Sequence, residues 1–328
     1  MRPPFKITSK TLSLCTDIAK ITGQYEGISS PPPQPKLRRQ NQIKTIHGSL
    51  AIEGNTLNLD QVTAILEGRR VVGDPREVLE VRNAIKAYEV AHEWHPTKEK
   101  DLLKAHAVMM SGLMPDAGKY RTTNVGIVKG SKVSHVAPKP KFVPKLMSEL
   151  FAFLKHDNEI PILVRACLFH YELEFIHPFS DGNGRMGRLW QHVILISESP
   201  IFTYIPVESV IKERQSAYYR ALSESDKAGD ATTFIEFALT TIRDSLVDLM
   251  GQLRARPITN YDRLDLASRN FGNSTFSRKD YLNLFKSIST ATASRDLLIG
   301  VKSGQLKKIG EKALTSYSFA KAKQQGLI

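Results

Sequence analysis

Between His177 and Arg188 the chain reads His177-Pro178-Phe179-Ser180-Asp181-Gly182-Asn183-Gly184-Arg185-Met186-Gly187-Arg188, which gathers an imidazole, a carboxylate, three glycines and two guanidiniums into 12 residues. An unperturbed imidazole titrates at about 6.5, so His177 is suited to take a proton from a hydroxyl near neutral pH. Gly182 and Gly184 let the backbone curl around a ligand, and a helix that starts there offers unpaired N–H groups to an anion. Arg185 and Arg188, three residues apart, project from one face of that helix and, with Met186 and Gly187 between them, complete a polyphosphate cradle. Asp181 beside phosphates would be repulsive unless a hard cation lay between them, and Mg²⁺ is the usual one. A base, a metal carboxylate and an arginine clamp together specify phosphoryl or nucleotidyl transfer. A zinc site built from His170, Glu174 and His177 on one helical face competes with this reading. Pro178 breaks that helix at once and there is no HExxH motif, so the phosphate reading is preferred.

The elements that must hold these groups are mostly helical. Residues 1–35 read as a short helix followed by Ile28-Ser29-Ser30-Pro31-Pro32-Pro33-Gln34-Pro35, an expected extended run because successive prolines exclude helix. In residues 36–70, Ile43, Ile46 and Leu50 recur at helical spacing up to a stop at Glu53-Gly54-Asn55, and Asn58 with Gln61 opens a second helix. Residues 71–254 begin with Asp74-Pro75-Arg76-Glu77, a strong helix start followed by the apolar stripe Val78, Val81, Ile85 and Tyr88. Val125, Ile127 and Val128, then Lys129-Gly130-Ser131, then Val133 and Val136 predict a β-hairpin. Helices are expected over about Val143 to Lys155, Pro161 to Phe175, Ser209 to Ser223 and Thr232 to Leu253, and Arg254-Ala255-Arg256-Pro257 marks a boundary.

Composition narrows the function classes. The 328 residues have ordinary apolar and charged fractions, and no apolar run approaches the roughly 20 residues of a membrane helix. Without the apolar core of a signal peptide at its start, the chain is expected in the cytoplasm, with no membrane partner. Cys15 and Cys167 have no CxxC spacing and read as buried thiols. The net charge of +13 is uneven: residues 255–328 carry 13 Lys and Arg against 5 Asp and Glu, which suggests an anionic partner, nucleic acid first.

The catalytic segment resembles the signature of the Fic family, HPFx(D/E)GNGRxxR, with every specified position filled. Supporting resemblance runs from about Ser49 to Leu253 and includes Gly118-Lys119-Tyr120-Arg121 and Tyr218-Tyr219-Arg220-Ala221-Leu222. The resemblance implies a mainly α protein, a Fic-fold helical bundle with a β-hairpin flap, of the bacterial kind that often carries an appended winged helix. It also implies a protein adenylyltransferase, in which the histidine deprotonates a target Tyr, Thr or Ser and the oxygen attacks the α-phosphate of ATP. His177 would then be the base and Asp181 the Mg²⁺ carboxylate. Asn183 and the adjoining N–H groups would bind the α-phosphate, and Arg185 and Arg188 the outer phosphates. Val125, Val128 and Tyr219 would border the nucleotide, with Asp226 where relatives often carry asparagine. The hairpin would pair with an extended piece of the target protein. Gly184, where phosphate-transferring relatives have lysine, favours AMP transfer.

Ser49-Leu50-Ala51-Ile52-Glu53-Gly54-Asn55 resembles the family's inhibitory pattern (S/T)xxxE(G/N)N. Glu53 is expected to form a bidentate pair with Arg188 and so occupy the donors meant for the γ-phosphate. Residues 255–328 resemble a winged helix-turn-helix domain, with Ser294 or Arg295 near bases and Lys307 and Lys308 near phosphates if the partner is DNA. A protein partner or a second copy of the chain are the alternatives for that domain. Removal of AMP, or DNA-bound regulation, compete with AMP transfer as the chain's function.

Overall fold

The computed structural model describes residues 3–27, 33, 35–129, 132–254, 259–272, 274–286, 288–311 and 315–320. The chain divides into two compact units, Met1–Gln24 with Pro33–Gly251 and Tyr25–Pro32 with Gln252–Ile328. In chain order the elements up to the hairpin are α1 (Ser9–Gly27), α2 (Pro35–Ile52), α3 (Leu59–Leu66), α4 (Pro75–Glu89), α5 (Glu99–Met109), β1 (Gly126–Lys129) and β2 (Lys132–Val136). There follow α6 (Val143–His156), α7 (Ile162–Ile176), α8 (Asn183–Glu198), α9 (Val207–Glu213), α10 (Gln215–Ala228) and α11 (Thr232–Arg254). The second unit contains α12 (Asn260–Phe271), β3 (Phe276–Ser277), α13 (Arg278–Leu284), α14 (Thr290–Lys302), β4 (Leu306–Ile309) and β5 (Ser316–Phe319).

Helix starts follow the capping chemistry. Asn58 and Gln61 form a reciprocal capping box on α3, and Asp74 accepts from Arg76 N at the head of α4. Pro35 opens α2 instead of extending the proline run; proline is tolerated in a first helical turn because its missing N–H has no intrahelical partner there. Most of the rest of that run lies outside the described residues. The helix expected over Ser209 to Ser223 is two helices, α9 and α10, which meet at Arg214. The predicted hairpin is present as an antiparallel β1–β2 pair with Val128 opposite Val133 and a register shift between Ile127 and Val128. Gly130 and Ser131 lie outside the described residues.

Helices α7 and α8 form the centre of the first unit. Phe151 packs edge to face on Phe169 and on Trp190, and Trp190 donates through Nε1 to Pro96 O at 3.0 Å. Helix α2 buries Ile43, Ile46 and Leu50 and passes very close to α9 at Gly48. A Cβ there would stand 2.7 Å from the backbone of Glu208 and Ser209, so only glycine permits the approach. Gly54, at φ +95°, ends α2. Gly54 N donates to Ala51 O and Asn55 N to Leu50 O, the paired bonds of a glycine-terminated helix.

In the second unit, three helices pack on a three-stranded antiparallel sheet of order β3-β5-β4. Its core joins Leu264, Phe276, Tyr281, Leu297 and Leu306. A buried bidentate pair, Arg263 Nε and Nη2 to the two oxygens of Asp296, ties α12 to α14.

Candidate active site

Pro178 prevents α7 from continuing, and His177 turns the chain at φ 50°, ψ 59°, the only non-glycine among the described residues with positive φ. That turn is held from behind by Arg121, which is buried. Its Nε donates to His177 O at 2.7 Å, Nη1 to Thr123 O at 2.9 Å, and Nη2 to Pro138 O at 2.5 Å and to Ile176 O. One guanidinium thus joins the end of α7 to both flanks of the hairpin. The imidazole Nδ1 of His177 lies 3.3 Å from Glu174 O. A carbonyl can only accept, so Nδ1 carries the hydrogen and Nε2 keeps the lone pair that a base needs.

The loop to α8 is closed by reciprocal bonds. Asn183 Oδ1 accepts from Phe179 N, and Asn183 Nδ2 donates to Phe179 O, both at 2.9 Å. With both side-chain groups engaged, Asn183 shapes the loop, and its backbone N–H is what it can offer a phosphate. Gly182 has φ +83°, and a Cβ there would meet Met110 Sδ at 2.8 Å. It caps α8 without any side-chain bond, so the N–H groups of the first turn keep their capacity for an anion. Met186 is buried beneath that turn, and a Cβ on Gly187 would stand 2.6 Å from His170, so this glycine makes room for the neighbouring helix.

His106, which the sequence did not single out, braces the loop. Gly118 N donates to its Nδ1 at 2.8 Å, so its Nε2 carries the hydrogen and donates to Asp181 O at 3.0 Å. The ring stacks on Phe179 at 3.7 Å, and burial holds it neutral by pushing it down to about 4. A lone histidine in a helix carries no sequence signal for such a role. Arg121 stands in the quoted Gly-Lys-Tyr-Arg motif, but its partners are carbonyls distant in sequence.

Asp181 is half exposed. Its Oδ1 accepts from Gly182 N at 2.6 Å and from Arg185 Nη2 at 3.0 Å, while Oδ2 lies 3.8 Å from Arg76 Nη2. No group of three His, Cys, Asp or Glu that could hold a metal occurs among the described residues, and His170 is instead bonded to Gln191 and Tyr218. Mg²⁺ commonly takes one or two carboxylates together with phosphate oxygens and waters, so a single accessible Asp181 beside a phosphate cradle fits it. Arg185 is buried and also faces Glu80 Oε1 at 3.6 Å. Glu80 in turn accepts from Asn55 Nδ2 at 2.9 Å, linking the Glu53-Gly54-Asn55 turn to Arg185.

Arg188 is wholly buried and gripped by the end of α2. Its Nε donates to Ser49 Oγ at 3.2 Å, and its Nη2 to Ser49 O at 3.0 Å and to Glu53 Oε1 at 2.7 Å. The pair with Glu53 is therefore through one nitrogen and one oxygen rather than bidentate, because the Ser49 carbonyl shares Nη2. Nη1 is buried with no hydrogen-bond partner. Glu53 Oε1 lies 2.5 Å from where a Cβ on Gly184 would stand, so the carboxylate occupies the space over the first turn of α8. The last carbonyls of α2 are bound by Lys212 Nζ to Ala51 O at 2.7 Å, and by Gln215 Nε2 and Tyr219 OH to Ile52 O at 3.0 and 3.3 Å. Tyr219 thus contacts the end of α2 here. Val125 is half-buried just before β1, which contains Val128. Asp226 accepts from Tyr171 OH at 3.0 Å. In the second unit, Ser294 accepts from Arg278 at 3.1 Å, Arg295 is exposed on α14, and Lys307 and Lys308 are exposed on β4.

Comparison with known proteins finds relatives of one family. A model of the Fic/DOC family matches residues 96–195. Protein adenylyltransferase Fic of Nematostella vectensis is 32% identical over 216 residues, which are 62% of this chain and 48% of that protein. Protein adenylyltransferase fic-1 of Caenorhabditis elegans is 27% identical over 230 residues, 67% of this chain and 43% of that protein. The chain therefore spans a little under half the length of these curated relatives. Among solved structures, a Fic family protein from Desulfovibrio desulfuricans G20 is 40% identical, with 99% of this chain and 100% of that one covered at a TM-score of 0.73. Fic-1 of C. elegans aligns at 25% identity and a TM-score of 0.60, covering 75% of this chain and 72% of that one.

Proposed function

Because this chain belongs to the Fic family, we propose that it transfers AMP from ATP to a Tyr, Thr or Ser hydroxyl of another protein and that it is held inactive by Glu53. The observation that carries this reading is the convergence at the head of α8. A base with Nδ1 anchored, an uncapped helix N-terminus and a buried guanidinium with an unused N–H lie on consecutive turns of chain.

His177 Nε2 takes the proton of the target hydroxyl as its oxygen attacks the α-phosphorus, and pyrophosphate leaves. The N–H groups of the first turn of α8 receive the charge that develops on the α-phosphate, and the dipole of α8 adds to them. Arg185 and Arg188 hold the outer phosphates. Asp181 would hold Mg²⁺, which when bound neutralises phosphate charge. The hairpin, a two-stranded pair, would align an extended segment of the target by strand addition.

Inhibition follows from occupancy. Glu53 takes Arg188 Nη2 and fills the space over Gly184, so a triphosphate meets a carboxylate where it needs donors. Ser49, Gly54 and Asn55 hold that carboxylate in place: Ser49 shares Arg188, Gly54 supplies the turn, and Asn55 anchors to α4 through Glu80 and Glu77 O. Intact-mass analysis of host proteins after incubation with the Glu53→Gly variant, ATP and Mg²⁺ tests the chemistry. Adducts of AMP that vanish when His177 is also replaced by Ala are expected, and adducts of phosphate alone would refute AMP transfer.

For residues 255–328 we propose a winged helix that binds DNA, with the protein working in the cytoplasm. The element order, the exposed Arg295 on α14 and the exposed Lys307 and Lys308 on β4 support this. Fluorescence anisotropy with duplex DNA should show binding that weakens steeply as salt rises, and absent or salt-insensitive binding would count against it.

A further inference from the structure

Glu174 is a carboxylate of this site whose side chain takes no part in the reaction just described. Its backbone carbonyl holds Nδ1 of His177, while its side chain reaches the space beside Gly184. Oε1 lies 3.2 Å from the position of a Cβ on Gly184, and Arg188 Nη1 is also 3.2 Å from that point, with Glu53 Oε1 at 2.5 Å. Two carboxylates and one guanidinium therefore converge on one glycine, and Nη1 of that guanidinium has no acceptor.

The hydrogen bonds determine where the protons are. Gln191 donates through Nε2 to Cys167 Sγ, so its Oε1 accepts from His170 Nδ1 at 2.9 Å. His170 is kept neutral, pushed down to about 3 chiefly by burial, which leaves Nε2 bare. That nitrogen lies 3.1 Å from Tyr218 OH. A phenol has only one hydrogen. Tyr218 OH donates it to Glu174 Oε1 at 3.1 Å when that carboxylate is ionised; the phenol can serve His170 Nε2 and still keep a bond to Glu174 only if Glu174 carries a proton and donates to the phenol oxygen. Burial first, and the charge of Glu53 next, push Glu174 up to about 7, in accord with a protonated acid.

We propose that Glu174 is a positioning residue for Arg188: protonated, it leaves the guanidinium to Glu53; ionised, it repels Glu53 and binds Nη1, holding Arg188 ready for the triphosphate. The proton passes to solvent and no covalent bond to carbon or phosphorus changes. Nη2, vacated by Glu53, then faces the γ-phosphate. This rests on the reading of the chain as an AMP transferase latched by Glu53. The groups that face Glu174 are Glu53 from the end of α2, Arg188 from α8, His170 on α7, and Tyr218, Tyr219 and Asp226 from α10. Burial, Glu53 and Asp226 oppose its ionisation, and Arg188 and the hydrogen bond from Tyr218 favour it. Departure of Glu53 removes the first opposing charge and leaves Arg188 uncompensated, so the released state binds the proton more weakly. Raising the pH through about 7 must therefore favour release.

The test is the AMP-transfer rate of the full-length protein divided by that of Glu53→Gly at the same pH, from about pH 6 to about pH 8.5. Titration of His177 and of ATP cancels in this ratio. One coupled proton predicts a rise on the order of tenfold. In Glu174→Gln, an isostere of the protonated acid that still donates to Tyr218, the ratio should stay low and flat. A flat ratio in the wild type, or the same slope in Glu174→Gln, overturns the proposal. The infrared carbonyl band of a protonated carboxylic acid supplies a readout independent of activity. Glu172 and Glu208 contribute to the same band, so the Glu174 share is read as the difference between wild type and Glu174→Gln at about pH 6. That difference should be present in the wild type and smaller in the Glu53→Gly background; an equal difference in both backgrounds, or none in the wild type, overturns the proposal. If Glu53→Gly transfers no AMP at any pH, the functional reading fails, and the infrared comparison still decides the protonation of Glu174.

Discussion

In the role proposed for it, His177 is fixed by one backbone group and one side chain: the carbonyl of Glu174 on Nδ1 and the guanidinium of Arg121 on its own carbonyl. Neither bond touches a phosphate. Replacing His177 by Ala in the Glu53→Gly background should therefore abolish AMP transfer while leaving ATP affinity within a few-fold, as read by calorimetric titration. Retained transfer would remove His177 from the role of base, and lost ATP binding would make it a binding residue. Arg188 differs in kind, since it is wholly buried and its partners all come from the end of α2. In the proposed mechanism its access to a triphosphate is set by the position of that helix end rather than by its own conformation.

That position depends on α2 as a whole. Gly48 lets the helix touch α9, and Lys212, Gln215 and Tyr219 bind its final carbonyls, so the location of Glu53 is set by contacts along its length. Gly48→Ala places a Cβ 2.7 Å from backbone atoms that cannot yield like a side chain, and α2 must shift. Basal AMP transfer should rise several-fold, and the double variant with Glu53→Gly should be no faster than Glu53→Gly alone; an unchanged basal rate would mean that the latch tolerates movement of α2. The elements themselves were largely legible in the sequence where capping chemistry marked them, as at Asn58, Asp74 and the Gly54 stop. Helix α5 was not, since its start at Lys98 has no side-chain cap, whereas α12 had an unread signal in the Thr259 and Asp262 capping box. The run from His177 to Arg188 was legible because its residues are contiguous. The supports from His106, Arg121, Glu80 and Tyr218 were not, because each acts on a partner far away in sequence.

Across the whole molecule, buried titratable groups set an unusual balance. His106, His170 and His192 are pushed down to about 4, 3 and 4 by burial, so the unfolded chain binds more protons at these sites below about pH 6.5. Their contribution is complete above that pH and is lost as pH falls. Glu172, Glu174 and Glu208 are pushed up to about 7 by burial, so the folded chain binds more protons there, and their contribution declines as pH rises from about 4.5 to 7. The two sets oppose each other between about pH 4.5 and 6.5, and Tm should be nearly flat through that window and fall steeply below it. Thermal melts at half-unit intervals check this, and a steady slope across the window would show that one set dominates. The latch itself is tested most directly by labelling host proteins from ATP carrying its label on the α-phosphorus. At equal, fully folded enzyme concentration, Glu53→Gly should incorporate label at least tenfold faster than the wild type, as expected when a blocked donor to the triphosphate is restored. Equal or slower incorporation by the variant would contradict an AMP transferase held off by its own N-terminal helix.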